Sequence, residues 1–445
     1  MDRYFGIFGI IAILGIAFLL SNNKKAIDKK LVFTGLLIQA LLAVFILKVP
    51  LGQIVFAKIG YFITMLLDFS NKGADFVFGP LVNSTLLAPV FGISNTFIFF
   101  FKIIPTIIFV SVLVSIAYHI GIMQRIVAVF AKVVHKLMGV SGSEALSNVG
   151  SAFVGQVEAQ IMIKPYISGM TKSELLASMA GSMACIAGGV MAVYISMGVP
   201  AEYLIAASIM AAPGALVIAK IVYPETEVSE TKGTVKIEIK KAHANLMDAI
   251  SHGASDGMRI SLNVIAMLLG FIALIAMVDA GLGYLGRALY YNTSMDLSMI
   301  GISLKELSLK EILGSVFSVF AYLMGVPSKD THLVGALMGT KLVINEFVAY
   351  SNLSPMIAAG VLSKKSIVIV SFALCGFANF SSIAIQVGGI GELAPDRRAD
   401  LAKLGFKALI LWACVYPPDL KPTMFTSAKQ NNWFVIGDED EFYNG

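Results

Sequence analysis

Apolar residues arrive along this chain in long unbroken blocks, not in the alternation of a half-buried strand or the one-sided stripe of a soluble helix. Blocks at 4–20, 31–47, 97–120, 175–197, 203–222, 260–278, 366–386 and 404–416 predict helices, most of them near the roughly 20 residues that cross the hydrocarbon. A weaker block at 51–69 carries Lys58 and Asp68 and predicts a helix lying at the interface. The first block ends at Ser21-Asn22-Asn23 without a small-x-small cleavage site, so it is read as a retained helix. Lys24, Lys25, Lys29 and Lys30 follow it, and the positive-inside bias puts them in the cytoplasm and the N-terminus outside.

Later basic residues (Arg125, Lys132 and Lys136; Lys236, Lys240 and Lys241 in the polar stretch 225–259; Arg397, Arg398 and Lys403) fall on the same side under one condition. Two further apolar stretches, 125–160 and 311–349, must turn back without crossing. Both contain Leu-Met-Gly-Val (137–140 and 323–326), then a polar break, then a glycine-containing apolar segment that reaches Glu158 or Glu346. Each is followed by a polar turn and by a helix interrupted by polar or small residues, at 182–189 and 375–382. The first copy enters from the cytoplasm and the second from outside. Oppositely oriented repeats with broken helices are the architecture of secondary transporters, whose substrate sites lie near the midplane. The expectation is therefore an all-α polytopic membrane protein, with about eight transmembrane helices, two re-entrant helical hairpins in an inverted repeat, and interfacial helices.

Composition agrees: 57% of the 445 residues are hydrophobic and 14% charged, too few polar groups to cover a water-soluble globule of this length. A net charge of +5, scattered along the chain, gives no basic patch for nucleic acid. Cys185, Cys375 and Cys414 stand far apart in apolar segments, with neither a disulfide frame nor a CxxC metal motif. No HExxH, GxSxG or P-loop string is present, so an enzyme is not expected.

A central charged residue costs about 2.5–3.5 kcal/mol to insert, so the polar residues within apolar segments carry the information. They are Gln156 and Glu158 in the first stretch, Asn345 and Glu346 in the second, then Asn379, Ser381 and Ser382. Serine and asparagine also serve as interhelical glue, an adequate reading for Ser381 alone. Glutamates at hairpin tips need a cavity or a protein interior around them. An ionised carboxylate accepts from paired hydroxyls, and a glutamine both donates and accepts. Phe377 and Phe380 offer an apolar wall. Together these describe a midplane site for a neutral polyhydroxylated solute, with proton relay by a glutamate as the competing role.

Four strings then carry a resemblance: SNKGADFVFG at 70–79, GQVE at 155–158, GTKLVINEFVAY at 339–350 and GFANFSS at 376–382. The chain resembles the concentrative nucleoside transporter family in its bacterial form, from residue 1 to about residue 410. The resemblance implies a homotrimeric nucleoside symporter of the inner (plasma) membrane, coupled to Na+ or H+ and needing no other cofactor. Its transport domain moves like an elevator against a trimerisation scaffold in the lipid. On this reading residues 1–96 and 225–310 belong to the scaffold, and 97–224 and 311–416 hold the two repeats. Residues 417–445, after Pro417-Pro418, form an atypical polar tail.

Carried over by position, Gln156, Val157 and Glu158 face the base. Glu346, Asn379 and Ser382 hold the ribose, with Phe377 beside the nucleoside. Ser151, Val154, Ala184, Cys185 and Ile186 mark the sodium site. Four positions depart from the family pattern, one at the base and three at the ion site. Val157 stands where Thr or Ser is usual, and Ser151 where sodium-coupled members have Asn, while Ala184 and Cys185 lack the hydroxyls usual at the break. Base preference and the choice of ion stay open on the sequence, and a nucleoside-binding receptor or scaffold without transport is the alternative function.

Overall fold

The computed structural model describes residues 5–91, 98–232, 243–292 and 303–415. The predicted tail at 417–445 lies outside the described residues. Every regular element described is a helix. Six helices are long and apolar enough to cross a membrane among the described residues.

Helix Ala201–Val222 is the axis of the fold, almost entirely enclosed by protein. Its 22 residues span about 33 Å, close to the hydrocarbon thickness. Its two ends show how the hairpins are disposed. At the C-terminal end, Lys220 pairs with Glu144 at the start of helix Gly142–Ser151, the first arm of the first hairpin. Beside the N-terminal end, the hydroxyl of Ser354 donates to the carbonyl of Met197 across 2.5 Å. Ser354 sits near the end of helix Glu346–Ala358, the returning arm of the second hairpin. The two hairpins therefore enter from opposite ends of the same helix, the opposed arrangement of an inverted repeat.

Each hairpin begins after a helix stopped by a left-handed glycine. Helix Ile122–Met138 ends at Gly139 (φ +69°), and helix Leu309–Leu323 is followed by Gly325 (φ +81°). Glycine reaches such φ values without the Cβ penalty that other residues incur, so the repeated Leu-Met-Gly-Val string is a helix stop written twice. The first hairpin then runs through Gly142–Ser151 and the short helices Glu158–Ile161 and Lys164–Ile167. The second runs through Thr331–Val343 and Glu346–Ala358.

Both following helices are broken where expected. One is Lys172–Ala184 then Gly188–Ser196, and the other is Lys364–Leu374 then Phe380–Leu393. The breaks touch. A Cβ on Gly376 (φ +102°) would lie 2.5 Å from the Met183 carbonyl oxygen and 2.7 Å from that of Ala184.

Three extents differ from the expectation. The span at 260–278 is the middle of a 47-residue helix, Leu246–Asn292, which continues well past the hydrocarbon. Its polar first turns pack on helix Phe99–His119 through a seam of small residues: a Cβ on Gly253 would sit 2.8 Å from Val112 Cα, and one on Gly257 2.6 Å from Ile108 Cα. The last helix begins at Arg398, not near 404, and covers Arg398–Val415. The weak block at 51–69 is part of a 29-residue helix, Pro50–Phe78, with proline in its first turn and Gly79 after its end.

Candidate functional site

Two helix starts meet in the second repeat. Asn345 caps Glu346–Ala358 by accepting from the Val348 N–H at 2.9 Å, and Asn379 caps Phe380–Leu393 by accepting from the Ser382 N–H at 2.9 Å. These caps satisfy amides that a helix start leaves open, and they aim two positive dipole ends at one place. Glu346, only 6% exposed, occupies that place. Its carboxylate accepts from Asn379 Nδ2 at 3.0 Å on one oxygen and from the Tyr194 hydroxyl at 3.4 Å on the other. Ser382 is buried on the first turn beyond Asn379, and Phe377 is half-buried in the break itself. Glu346, Asn379 and Ser382 are thus gathered at one point, whereas Phe380 faces outward at 49% exposure.

The first hairpin tip is built on Gly155 (φ +143°), over which the Glu158 side chain folds: a Cβ there would lie 2.4 Å from Glu158 Oε2. Gln156 and Val157 are half-buried and Glu158 is exposed. The two acidic side chains are therefore unlike, with Glu346 enclosed and Glu158 open, which departs from the expectation that the protein interior shields both. Helix Phe380–Leu393 faces this tip. Gln386 Nε2 lies 3.4 Å from Gln156 Oε1, and a Cβ on Gly389 would meet Val157 Cγ2 at 2.9 Å.

Beneath the tip lies a buried hydroxyl and amide cluster. Ser151 Oγ donates to the Ser147 carbonyl at 2.8 Å and is 3.0 Å from Ser182 Oγ. Gln160 Nε2 donates to Ser182 Oγ at 2.7 Å and to Ser147 Oγ at 2.9 Å, and its Oε1 accepts from Ser178 Oγ at 2.7 Å. Ala184 ends the first half of the adjoining helix and Cys185 and Ile186 open its break, all fully buried, with Cys185 extended at φ −104° and ψ 158°. Val154 is buried at the hairpin turn on the same side. Oxygen is plentiful here, from two neighbouring hydroxyls and the unwound backbone, and oxygen donors suit a hard cation.

Sequence reasoning missed Tyr194, Lys341, Gln386 and Ser182. Lys341 is fully buried and donates to the carbonyls of Ala373 at 3.2 Å and Cys375 at 2.9 Å, closing the C-terminal end of helix Lys364–Leu374. A lone lysine in the apolar helix Thr331–Val343 was signal enough to find it. Tyr194 carries no such signal, because tyrosine is common in membrane helices.

Three family descriptions match the chain in order: the N-terminus of Na+-dependent nucleoside transporters over residues 8–81, a nucleoside-recognition gate over 100–201, and the C-terminus of Na+-dependent nucleoside transporters over 203–415. The uncharacterized transporter YutK of Bacillus subtilis is 43% identical over 92% of this chain and 96% of its own. The nucleoside permease NupC of Helicobacter pylori is 35% identical over 92% and 94%. Among solved structures, an outward-facing double variant of CNTnw superposes with a TM-score of 0.87 at 40% identity, covering 94% of this chain and 97% of that one. An inward-facing, substrate-bound CNTnw gives 0.85 at 39%, over 94% and 98%.

Proposed function

The chain belongs to the concentrative, Na+-dependent nucleoside transporter family, and from that membership and the Glu346–Asn379 geometry we propose how its residues serve cation-coupled nucleoside symport by alternating access. It is a multi-pass membrane protein and not an enzyme.

The enclosed Glu346 carboxylate is the observation that carries the reading. A buried carboxylate with an amide and a phenol beside it has acceptor capacity to spare, and the vicinal hydroxyls of ribose are donors of the right spacing. Asn379 and Ser382, on the adjoining helix start, complete the ribose grip, and Phe377 flanks it. Gln156, Val157 and Glu158 face the base from the first hairpin tip. Val157 has no hydroxyl to offer the base, so discrimination there rests on Gln156 and Glu158.

Sodium is the coupling ion of this reading, held by Ser151 Oγ and by carbonyls of Val154 and of the break at Ala184, Cys185 and Ile186. The Ser182 hydroxyl, 3.0 Å from Ser151 Oγ, supports the assignment by supplying an oxygen one turn before Cys185. One charge crossing about 100 mV releases roughly 2.3 kcal/mol, enough for about 50-fold accumulation of a neutral solute. Protons are the rival ion, with a glutamate as carrier.

The chain works as a homotrimer in the inner (plasma) membrane with its N-terminus outside. Helix Leu246–Asn292, with exposed Leu269, Ile272, Met277 and Tyr284, and the helices before residue 97 form the fixed scaffold. The hairpins and broken helices form the moving part. The deciding experiment is uptake of labelled uridine into proteoliposomes with a sodium gradient and a proton gradient imposed separately. Accumulation driven by sodium alone supports the assignment, and accumulation driven by protons alone replaces it.

A further inference from the structure

Gln386 is fully buried on helix Phe380–Leu393, one turn beyond Ser382, and its amide nitrogen has two acceptors. One is the Met179 carbonyl at 3.2 Å, the other Gln156 Oε1 at 3.4 Å. Its own Oε1 is buried with no hydrogen-bond partner among the described residues. A carbonyl can only accept, so Met179 fixes which end of the Gln386 amide is nitrogen. That nitrogen then faces Gln156 and demands an acceptor from it, so the oxygen of Gln156 turns toward Gln386. Both hydrogen bonds of the Gln386 amide thus run through its nitrogen, while its oxygen has no donor among the described residues.

We propose that Gln386 is a positioning residue for specificity, polarising the Gln156 amide so that its NH2 end faces the base and favours an acceptor there. The inference rests on the reading that Gln156 faces the base. It predicts a preference for carbonyl-bearing nucleosides over amino-bearing partners of the same shape, that is uridine over cytidine and inosine over adenosine. On the same helix face, Gly389 leaves room for Val157, so this helix start grips ribose through Asn379 and Ser382 while its next two turns set the hairpin tip.

The test measures uptake of the four nucleosides into proteoliposomes for wild type, Gln386→Met, Gln156→Ala and the double variant. Methionine nearly matches glutamine in shape and makes neither hydrogen bond. Gln386→Met is expected to shrink the carbonyl-over-amino ratio by about fivefold, the worth of one hydrogen bond, and to have no further effect on that ratio in the Gln156→Ala background. A uniform loss across all four nucleosides, or equal effects in both backgrounds, overturns the proposal. Should Gln386→Met not fold, Gln156→Glu serves: it keeps an acceptor toward Gln386 but has no donor for the base, so the ratio should invert. Retention of the wild-type ratio by Gln156→Glu overturns the proposal as well. Selectivity that ignores Gln156→Ala removes the underlying reading, whereas selectivity that responds to Gln156→Ala but not to Gln386→Met removes only the role of Gln386.

Discussion

Asn379 donates to Glu346 across 3.0 Å while the oxygen of the same amide caps its own helix. One side chain therefore fixes both the start of Phe380–Leu393 and the direction of the buried carboxylate. Asn379→Asp should separate these duties. Aspartate still caps the helix, but it sets a second carboxylate against Glu346. The protein should fold with a melting temperature near wild type and lose nucleoside affinity by about 100-fold, read by isothermal titration.

Glu346→Gln removes the charge without changing the shape, and charge-assisted hydrogen bonds contribute about 1.5–3 kcal/mol. Uridine uptake should fall by roughly 10–150-fold. Val157→Thr, by contrast, should shift the ranking of nucleosides by only about 2–10-fold and leave the best substrate well transported. Wild-type uptake by Glu346→Gln would remove the ribose assignment.

Replacing both Ser151 and Ser182 by Ala deletes two neighbouring hydroxyls and leaves the backbone carbonyls of the break in place. The sodium concentration giving half-maximal uptake should rise by about 10-fold or more, with less change in nucleoside affinity at saturating sodium. Unaltered sodium dependence in both single variants and the double variant would move the ion elsewhere.

Gly376→Ala puts a methyl group 2.5 Å from the Met183 oxygen, well inside van der Waals contact, at a φ that other residues avoid. The expected loss of stability is about 2–3 kcal/mol, seen as a lower midpoint of thermal unfolding in detergent.

Asp330, in the turn Ser328–Asp330 outside the membrane spans, gives a pH dependence. Burial pushes its carboxyl up, but hydrogen bonds from the Ser366 hydroxyl (2.6 Å) and the Ser363 N–H (3.1 Å), with Lys329 nearby, hold it below the ordinary carboxylate range. A folded value below the unfolded one of about 3.9 means that the ionised form stabilises. That stability is complete above about pH 4 and is lost as pH falls through the folded value. Melting curves between about pH 3 and 6 should show wild type losing its advantage over Asp330→Asn at the acid end.

Much of this fold was legible because the membrane forces long apolar helices, and because glycine stops and polar interruptions disturb them visibly. Gly139 and Gly325, Ser182 to Gly189, and Cys375 to Ser382 were all read as marks of a repeat, and all prove to be backbone events. The start of the long helix at Leu246 was invisible for the opposite reason: its first turns lie beyond the hydrocarbon and are polar. Gln386 and Tyr194 were missed because their roles depend on which carbonyl or carboxylate lies opposite, and one chain read in line does not contain that pairing.

Gly376, which has no side chain, lets the two interruptions lie directly against each other at the carbonyls of Met183 and Ala184. If the proposed ion binds the oxygens at Ala184, it rests against the interruption that leads to Asn379, and occupancy of either place is then expected to be felt at the other. Thermodynamic linkage makes that influence mutual: whatever factor the ion lends to nucleoside affinity, the nucleoside returns in full to the ion.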